Sequence, residues 1–433
     1  MNDHTKEFYI NLKTLIQNAT LDVNTETQTI CPTFRTGLQL TVSVPNIPEP
    51  IVFDVESQNT IPPIIWKNIQ KNTKCTLVYT IPTSSDKLLK NRSVTFIVAI
   101  QEICESKQVQ EVNKYIRKCI TWLQIAQKNA KQTKCNKDPL LIYLLFSPLI
   151  KMLPPIPKST QKITKPVIGW SNVNSAFSVV CQKLIKKQKV REIVIFRKEE
   201  WFKVFIHETF HNYGFDFSAF SPDFIQTGTS FVLTHLYPVK SDVNLYEAYT
   251  ECWSRIIAIA FSSTNTTTIT EPNSYYINCV QKCLNEEITF SFFQAAKVLE
   301  YMDVATYERL ITGKAKDLYK EHTSILSYYI ITLVLFSNYN EFIQWNHTTI
   351  RTNETNKTNK TNKSNSLFKL SEYIIFPNTK TTLDSFCKFI YRYYKKKNFI
   401  NQINQNISNI HNNHTLKRPN TQLLKTMRMT YHL

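Results

Sequence analysis

Glycine is scarce in this chain, at 5 of 433 residues. The phosphate-binding loops of nucleotide-binding folds are rich in glycine, because the backbone must approach the phosphate closely, and the sequence contains no such loop. P-loop and dinucleotide-binding folds are therefore poorly supported.

Long hydrophobic runs are also missing. The longest apolar stretch, residues 325–336, is interrupted by polar side chains and is shorter than the roughly 18 residues that a membrane-spanning helix needs. The N-terminus lacks a basic stub leading into an apolar run, which a secretory signal would have. We therefore expect a soluble, cytoplasmic protein that has no membrane span and is not secreted.

The ten cysteines include no Cys-x-x-Cys pair. Disulfide frameworks and zinc ribbons usually show regular cysteine spacings, and none is present. We expect reduced thiols in a cytosolic compartment.

What the chain does have is enough apolar material to build a core, with 42% hydrophobic and 12% aromatic residues. Its net charge is +19, and residues 351–433 carry 15 Lys and Arg against 3 Asp and Glu, so +12 of the total lies there. A basic segment with interleaved aromatics, residues 388–397, also suggests nucleic-acid contact. The alternative is a basic helix that packs its aromatics on the core.

The first part of the chain, residues 1–158, reads as an accessory region of strands and helix. Alternating apolar residues predict strands over 38–44, 76–81 and 94–100, and an amphipathic pattern predicts a helix over 109–130. An apolar run over 138–146 predicts a buried strand, and the proline-rich stretch that follows it, 152–158, reads as a linker.

The rest of the chain divides into three regions. Residues 159–345 turn from strand to long helices and contain every candidate for chemistry. Residues 346–366 include an Asn-Lys-Thr repeat with nothing to bury, which predicts a mobile surface loop. Residues 367–433 form a basic, helical C-terminal region, with one helix predicted over 386–410. The fold class that these patterns predict is α+β.

A metal-binding motif lies on a predicted helix over residues 198–213, which Gly214 ends. Its core is His207-Glu208-Thr-Phe-His211. Residues four apart lie one turn above each other, so both imidazoles can converge on one tetrahedral zinc ion. Glu208 projects beside the open coordination position, where it can act as general base toward water.

The third protein ligand has two possible sources. In the metzincin pattern a glycine lies three residues after the second histidine, as Gly214 does here, and the third ligand is a histidine three residues after that glycine. Phe217 occupies the ligand position in this chain and cannot bind zinc. Asp216 is one residue out of register for this role, and it is the ligand to test if the second source fails.

The other source is a later helix over residues 246–261, with Asn244 as a plausible N-cap. Its start resembles the Glu-Ala-x-x-Asp signature of gluzincins such as thermolysin, with Glu251 in place of the Asp. The resemblance implies that Glu247 is the zinc ligand and that Glu251 orients His207 or His211. The reverse assignment of the two glutamates stays open, since Glu247 follows His211 by 36 positions, more than in thermolysin.

The gluzincin resemblance also covers substrate binding. Gluzincins hold extended peptides on an edge strand with an Asn-Ala sequence, and Asn174-Ser-Ala176-Phe is similar. Asn174 and Ala176 are therefore candidates for substrate binding. Stabilising the transition state needs a hydrogen-bond donor, for which Tyr328 and Tyr329 are the main candidates.

His235 and Tyr249 have suitable chemistry for the same donor role, and the sequence does not choose among these residues. The combined pattern looks like metallopeptidase-like proteins of large nucleocytoplasmic DNA viruses, which would place the chain in the host cytoplasm or the virion. The resemblance implies an accessory region followed by a zincin-like domain, a small sheet and active-site helix and then mainly helices.

The function that we expect is zinc-dependent hydrolysis of peptide or protein substrates, with one Zn²⁺ per chain. Two alternatives remain. One is a basic nucleic-acid-binding or virion structural protein. The other is a catalytically inactive protein that keeps the metallopeptidase fold as an interaction surface.

Overall fold

Six strands form a mixed sheet at the centre of the computed structural model, with helices packed on both of its faces. The structure describes residues 1–27, 30–44, 47, 49–53, 60–81, 86–89, 92–102, 105–131, 133–156, 165–181, 190–266, 271–358, 368–415 and 421–432. Within them the strands are β1 (Thr33–Thr36), β2 (Thr41–Val42), β3 (Ile51–Val52), β4 (Cys75–Ile81), β5 (Val94–Ile100), β6 (Leu140–Ser147), β7 (Ile168–Gly169), β8 (Ala176–Ser178), β9 (Arg191–Arg197) and β10 (Glu321–His322).

The helices in the same part of the chain are α1 (Asp3–Glu26), α2 (Pro63–Asn72), α3 (Asp86–Leu89), α4 (Ser106–Asn129), α5 (Trp170–Val173), α6 (Trp201–Tyr213), α7 (Pro222–His235), α8 (Leu245–Asn265), α9 (Asn273–Tyr301), α10 (Tyr307–Ile311), α11 (Thr332–Phe336), α12 (Tyr339–Thr358), α13 (Ser371–Ile374), α14 (Lys380–Tyr393), α15 (Lys397–Thr415) and α16 (Thr421–Lys425). A 3-10 turn (Lys134–Asn136) and a π-helical segment (Leu326–Ile331) are also present. This combination confirms the α+β fold class, with a mainly helical C-terminal part.

The sheet has the strand order β1-β4-β5-β6-β9-β8. Strands β5, β6 and β9 run parallel, whereas β1, β4 and β8 pair with their neighbours in antiparallel fashion. Apolar side chains occupy most positions of the central strands because both faces are covered, although β9 begins and ends at a buried arginine. The strands predicted over 76–81, 94–100 and 138–146 are confirmed, whereas the one predicted over 38–44 shrinks to Thr41–Val42.

Side-chain alternation along the strands divides the interior into two cores. Phe96 and Val98 of β5 face the larger core, which the long helices build. Ile97 and Ala99 face a smaller core on the other side, where Ile65 of α2 packs. The sheet is thus buried on both faces, as the period of two along a strand requires.

The sheet joins regions that the sequence analysis separated at residue 158. Strands β4, β5 and β6 precede this position and β8 and β9 follow it, yet β6 pairs with β9 from Leu140↔Arg191 to Ser147↔Arg197. The boundary therefore does not divide two independent units. Part of the expected linker is also paired, since Met152 forms a β-bridge with Thr426, while residues 157–158 lie outside the described residues.

The C-terminal region differs from the prediction in two places. The single helix expected over 386–410 is two helices, α14 and α15, separated by a turn over 394–396. The Asn-Lys-Thr repeat begins within α12, which extends to Thr358, and residues 359–366 of that repeat lie outside the described residues.

Two cysteines form a disulfide, Cys135 with Cys181, whose Cα atoms are 5.5 Å apart. Cys75 is also disulfide-bonded. The expectation of reduced thiols is therefore wrong for these three residues. The fold brings Cys135 and Cys181 together although they are 46 positions apart in sequence. Across the described residues, none of the helices has the length and hydropathy needed to span a bilayer.

Candidate metal centre

Helix α6 carries the His-Glu-x-x-His motif through the centre of the larger core, as the sequence predicts. Gly214 ends the helix in the left-handed region, with φ 66°, and its N–H bonds back to His211 O. A Cβ at this position would also lie 3.3 Å from Cys181 Cβ, so both conformation and space favour glycine. The predicted C-terminal glycine is confirmed.

Three side-chain atoms from two helices converge beside α6. His207 Nε2 lies 3.1 Å from His211 Nε2 and 3.0 Å from Glu247 Oε2, and His211 Nε2 lies 3.5 Å from the same oxygen. Glu247 comes from the first turn of α8, which packs along α6. In the described part of the chain, this is the group of His, Cys, Asp and Glu side chains that can hold a metal ion.

Each imidazole directs its other nitrogen to a buried carboxylate. His207 Nδ1 lies 3.2 Å from Glu251 Oε2, and His211 Nδ1 contacts Asp216 Oδ2. An ionised carboxylate only accepts hydrogen bonds, so these contacts place a proton on each Nδ1. In the neutral rings the lone pairs are then on the Nε2 atoms, which face one another and Glu247.

The charges around the site favour a cation at the point where these atoms meet. Burial opposes a positive charge on His207, but its hydrogen bonds with Glu247 and Glu251 outweigh burial and raise the pKa. Burial likewise opposes charge on His211, yet Asp216 and Glu247 raise its pKa well above the usual value. Although burial acts in the opposite direction, the imidazoles lower the pKa of Glu247.

Glu251 belongs to a buried network of charges. Its carboxylate accepts hydrogen bonds from Lys203 Nζ at 2.9 and 3.0 Å and from Arg255 Nε at 2.9 Å. Burial works against ionisation, but Lys203 and Arg255 hold the pKa of Glu251 well below its usual range. Of the two histidines, Glu251 contacts His207, whereas the sequence analysis allowed it to orient either one.

Asp216 is a partner that sequence reasoning did not assign. It was considered as a metal ligand, but its Oδ2 contacts His211 and also accepts from Thr250 Oγ1 at 2.8 Å. Its Oδ1 accepts from Ser218 N at 3.0 Å and Ser218 Oγ at 2.6 Å. The signal that points to this role is its position just after Gly214, where the chain turns back toward the last turn of α6.

Glu208 also has a partner that the sequence did not single out. Ser178 Oγ donates a hydrogen bond to Glu208 Oε2 at 2.7 Å. Ser178 ends β8, the strand at the edge of the sheet, so the edge strand holds the predicted general base directly.

The two predicted substrate-binding residues lie beside the motif. Asn174 immediately follows α5 and Ala176 begins β8, and both line a small cavity together with His207 and Glu208. Both residues therefore lie beside the motif, and their role in substrate binding stays a prediction.

The two candidate tyrosines differ. Tyr328 lies on the π-helical segment and lines the same cavity, with its ring 6.2 Å from the His207 ring. Burial, then Glu247 and Glu208, raises the pKa of Tyr328, which keeps its hydroxyl protonated as a donor. Tyr329 instead donates to Met427 O at 2.5 Å, so its hydroxyl is bonded outside this group.

The other two donor candidates also lie elsewhere. Tyr249 OH donates to Asn346 Oδ1 and Ile374 O, and His235 Nδ1 lies 3.1 Å from Phe231 O at the end of α7. Asn244 precedes α8 as expected, but its side chain donates to Ser324 Oγ and does not cap the helix.

Comparisons with known proteins give no neighbour from which to transfer a function: no family model, no curated protein and no solved structure matches this chain.

Proposed function

We propose that this chain is a zinc-dependent peptidase with a gluzincin-type site, in which His207, His211 and Glu247 hold the metal. The observation that carries the proposal is the convergence of two Nε2 atoms and one carboxylate oxygen, 3.0–3.5 Å apart, while carboxylates occupy both Nδ1 atoms. With a proton on each Nδ1, the two Nε2 lone pairs and the carboxylate oxygen repel one another unless a proton or a metal ion lies among them. A cation between them explains the arrangement.

The donor set suits zinc. Zinc prefers imidazole and carboxylate ligands at about 2.0–2.2 Å in tetrahedral geometry, and ligand atoms of such a site lie about 3.3 Å from one another. The three distances between the ligand atoms here, 3.0, 3.1 and 3.5 Å, are close to this value. Three protein ligands leave the fourth position open, which is typical of catalytic zinc sites. When bound, zinc would polarise a substrate carbonyl and lower the pKa of a bound water.

In this proposal the residues around the metal have separate roles. Glu208, held by Ser178, accepts a proton from the attacking water and delivers it to the leaving amine. Tyr328 donates its hydroxyl hydrogen to the developing oxyanion. Glu251 and Asp216 fix the orientation of the two imidazoles.

The edge strand provides a place for the substrate backbone. Ser175 O accepts a hydrogen bond from β9 and Val179 N donates one to it. Hydrogen-bonded residues alternate along an antiparallel pair, so Ala176 and Ser178 direct their backbone groups to the free edge of β8. An extended peptide can add to this edge as a further strand, next to Glu208.

The test is metal analysis and peptidase assay of the full chain. Mass spectrometry should find one zinc per chain in the wild type and none in His211→Ala. Glu208→Gln should keep its zinc and lose about 100- to 10,000-fold in hydrolysis of an unfolded protein substrate, since the amide cannot take up a proton. Glu341→Gln on α12, an exposed position, is the matched control. A zinc-loaded wild type that hydrolyses no peptide would favour the inactive interaction protein.

The second candidate, nucleic-acid contact, rests on one face of the C-terminal region. Lys388, Arg392 and residues 395–397 are exposed, and within the described residues none of these cations has a carboxylate partner. Tyr391 is 56% exposed and can stack on a base, whereas Phe389 is buried in the core. Retention on heparin that falls steeply with salt, and is lost on reversing these charges, would support this contact.

A further inference from the structure

A small cavity lies next to the predicted general base. It has a volume of about 40 Å³, and its walls include Glu208 and His207 of α6, Asn174 and Ser175 before β8, and Met429 near the C-terminus. A group bound here would be adjacent to the scissile bond in the proposed reaction. The cavity thus bears on which substrate residue the site accepts.

Two polar atoms in its walls lack partners. Asn174 Oδ1 and Ser175 Oγ are buried, and among the described residues neither has a hydrogen-bond partner. Buried polar atoms nearly always have a partner, so the unpaired atoms of these two lining residues are available to a ligand with matching polar atoms. They offer one acceptor and one hydroxyl that can donate.

A third polar group contributes donors. Lys151 lines the cavity, and its Nζ hydrogen bonds to a single acceptor among the described residues, Glu200 Oε2 at 2.7 Å. An ammonium group has three N–H donors, so donor capacity remains. Together with Ser175, Lys151 thus provides donors for an oxygen-bearing group on the substrate, in walls that also contain the Glu208 and Glu251 carboxylates.

The C-terminal segment, residues 426–432, limits the size of the cavity. Met429 N and Thr430 N donate to Glu200 Oε1 at 2.8 and 2.6 Å, and these bonds hold the segment against the start of α6. Met429 is only 4% exposed, with its sulfur 4.0 Å from Lys203 Nζ. Its side chain forms one wall of the cavity, so the small volume beside it limits the length of a substrate side chain.

We propose that this cavity is a substrate subsite for a short side chain ending in a carboxylate or carboxamide, Asp or Asn, at a position adjacent to the scissile bond. The proposal rests on the proposed peptidase function. The oxygens of such a group accept from Ser175 and Lys151, and a carboxamide also donates to Asn174. Met429 excludes the longer Glu and Gln side chains.

Binding can be tested apart from hydrolysis. The full-length Glu208→Gln protein, zinc-loaded, is titrated calorimetrically with otherwise identical peptides that carry Asp, Asn, Glu, Gln, Ala or Leu at each position in turn. We expect one position at which Asp or Asn binds about 10-fold more tightly than Ala, the effect of one or two hydrogen bonds, and more tightly than Leu or Glu. Comparison of the Asp and Asn peptides distinguishes the two end groups.

Variants of the chain locate the subsite. Ser175→Ala should remove most of the preference for Asp or Asn over Ala. Met429→Ala should admit Glu, Gln and Leu, whereas the volume-conserving Met429→Leu should keep the wild-type preference. Indifference to the side chain at every position, a preference for Leu, or an unchanged profile in Met429→Ala would overturn the proposal. Selective binding by Glu208→Gln without hydrolysis by wild type would instead contradict the peptidase function.

Discussion

Lys203 and Glu251 form a buried ion pair directly behind the metal-binding motif, with the ammonium nitrogen 2.9 and 3.0 Å from the two carboxylate oxygens. Lys203 lies one helical turn before His207, whose Nδ1 contacts the same carboxylate at 3.2 Å. Glu251 is therefore neutralised by cations on one side and orients an imidazole on the other. Glu247, one turn earlier on α8, faces the Nε2 atoms instead.

The two glutamates should respond differently to substitution. Glu247→Ala removes one of three proposed metal ligands and should abolish stoichiometric zinc binding. Glu251→Ala removes only the group that aims His207, so zinc affinity should fall about 10- to 100-fold. Zinc affinity is measured by competition with a chromogenic chelator. If Glu251→Ala were the metal-free variant and Glu247→Ala the milder one, the assignment of the two roles would be reversed.

Glu251→Ala also leaves Lys203 and Arg255 without their buried carboxylate, which should destabilise the fold. A control variant is needed to separate this loss of stability from the loss of zinc affinity. Glu251→Gln keeps the shape and one acceptor oxygen, so it should fold and still show the milder zinc defect. Zinc loss from Glu251→Gln equal to that of Glu247→Ala would count against an orienting role.

Lys203→Met should destabilise the fold more than it affects metal binding. The side chain is 2% exposed, and its removal leaves Glu251 with Arg255 as its remaining cationic partner. Breaking a buried ion pair costs about 3–5 kcal/mol, and the retained arginine should place the loss at the lower end. Urea denaturation measures the free energy of unfolding. A change below about 1 kcal/mol would show that solvent or Arg255 replaces the lysine.

Asp216→Asn should weaken zinc binding without unfolding the protein. The amide keeps an acceptor for His211 Nδ1 but loses the charge that strengthens this hydrogen bond, so the affinity should fall about 10-fold. Asp223→Asn is a matched control, because Asp223 is exposed in the first turn of α7. Complete loss of zinc from Asp216→Asn, with Glu247→Ala unaffected, would make Asp216 the third ligand.

The sequence predicted the parts of this site that depend on helix geometry. His207 and His211 are four residues apart, and an α-helix places such residues on one face. Glu247 was proposed from a resemblance at the start of a second helix. In the structure its Oε2 atom lies 3.0 Å from His207 Nε2 and 3.5 Å from His211 Nε2, close enough for all three atoms to bind one ion. Three strands of the central sheet were also predicted, two from alternating apolar residues and one from a continuous apolar run, which indicates a strand buried on both faces.

Contacts that do not follow the period of a helix or a strand were not predicted. Ser178 reaches Glu208 because the edge strand lies beside α6, and Asp216 reaches His211 because the chain reverses after Gly214. Tyr328 and Tyr329 are adjacent, so their side chains point in different directions, and only the packing of the π-helical segment determines which one faces the site. The pairing of β6 with β9 across residue 158 joins segments far apart in sequence, and the sequence pattern did not predict it.

Glu321 provides a prediction about pH. This carboxyl group follows Tyr319, whose hydroxyl donates to its Oε2 at 2.8 Å, and Leu326 N donates to the same oxygen at 2.8 Å. Ser241 Oγ bonds to the other oxygen. These bonds tie the start of the π-helical segment, and hence Tyr328, to the loop before α8. Burial outweighs them and raises the pKa of Glu321 to about 7.

A carboxyl group with a raised pKa in the folded state makes stability fall as pH rises. Above about pH 4.3 the unfolded chain has lost this proton, whereas the folded protein keeps it until about pH 7, so the folded state binds more protons in this window. The stabilisation is fully present below the unfolded pKa and is lost as pH rises through the folded one. Glu321→Gln carries no proton to lose, so between about pH 5 and pH 8 its free energy of unfolding should gain about 3 kcal/mol relative to wild type. Urea denaturation across this range measures the difference, and parallel curves for the two proteins would show that Glu321 ionises in the folded state as it does in the unfolded chain.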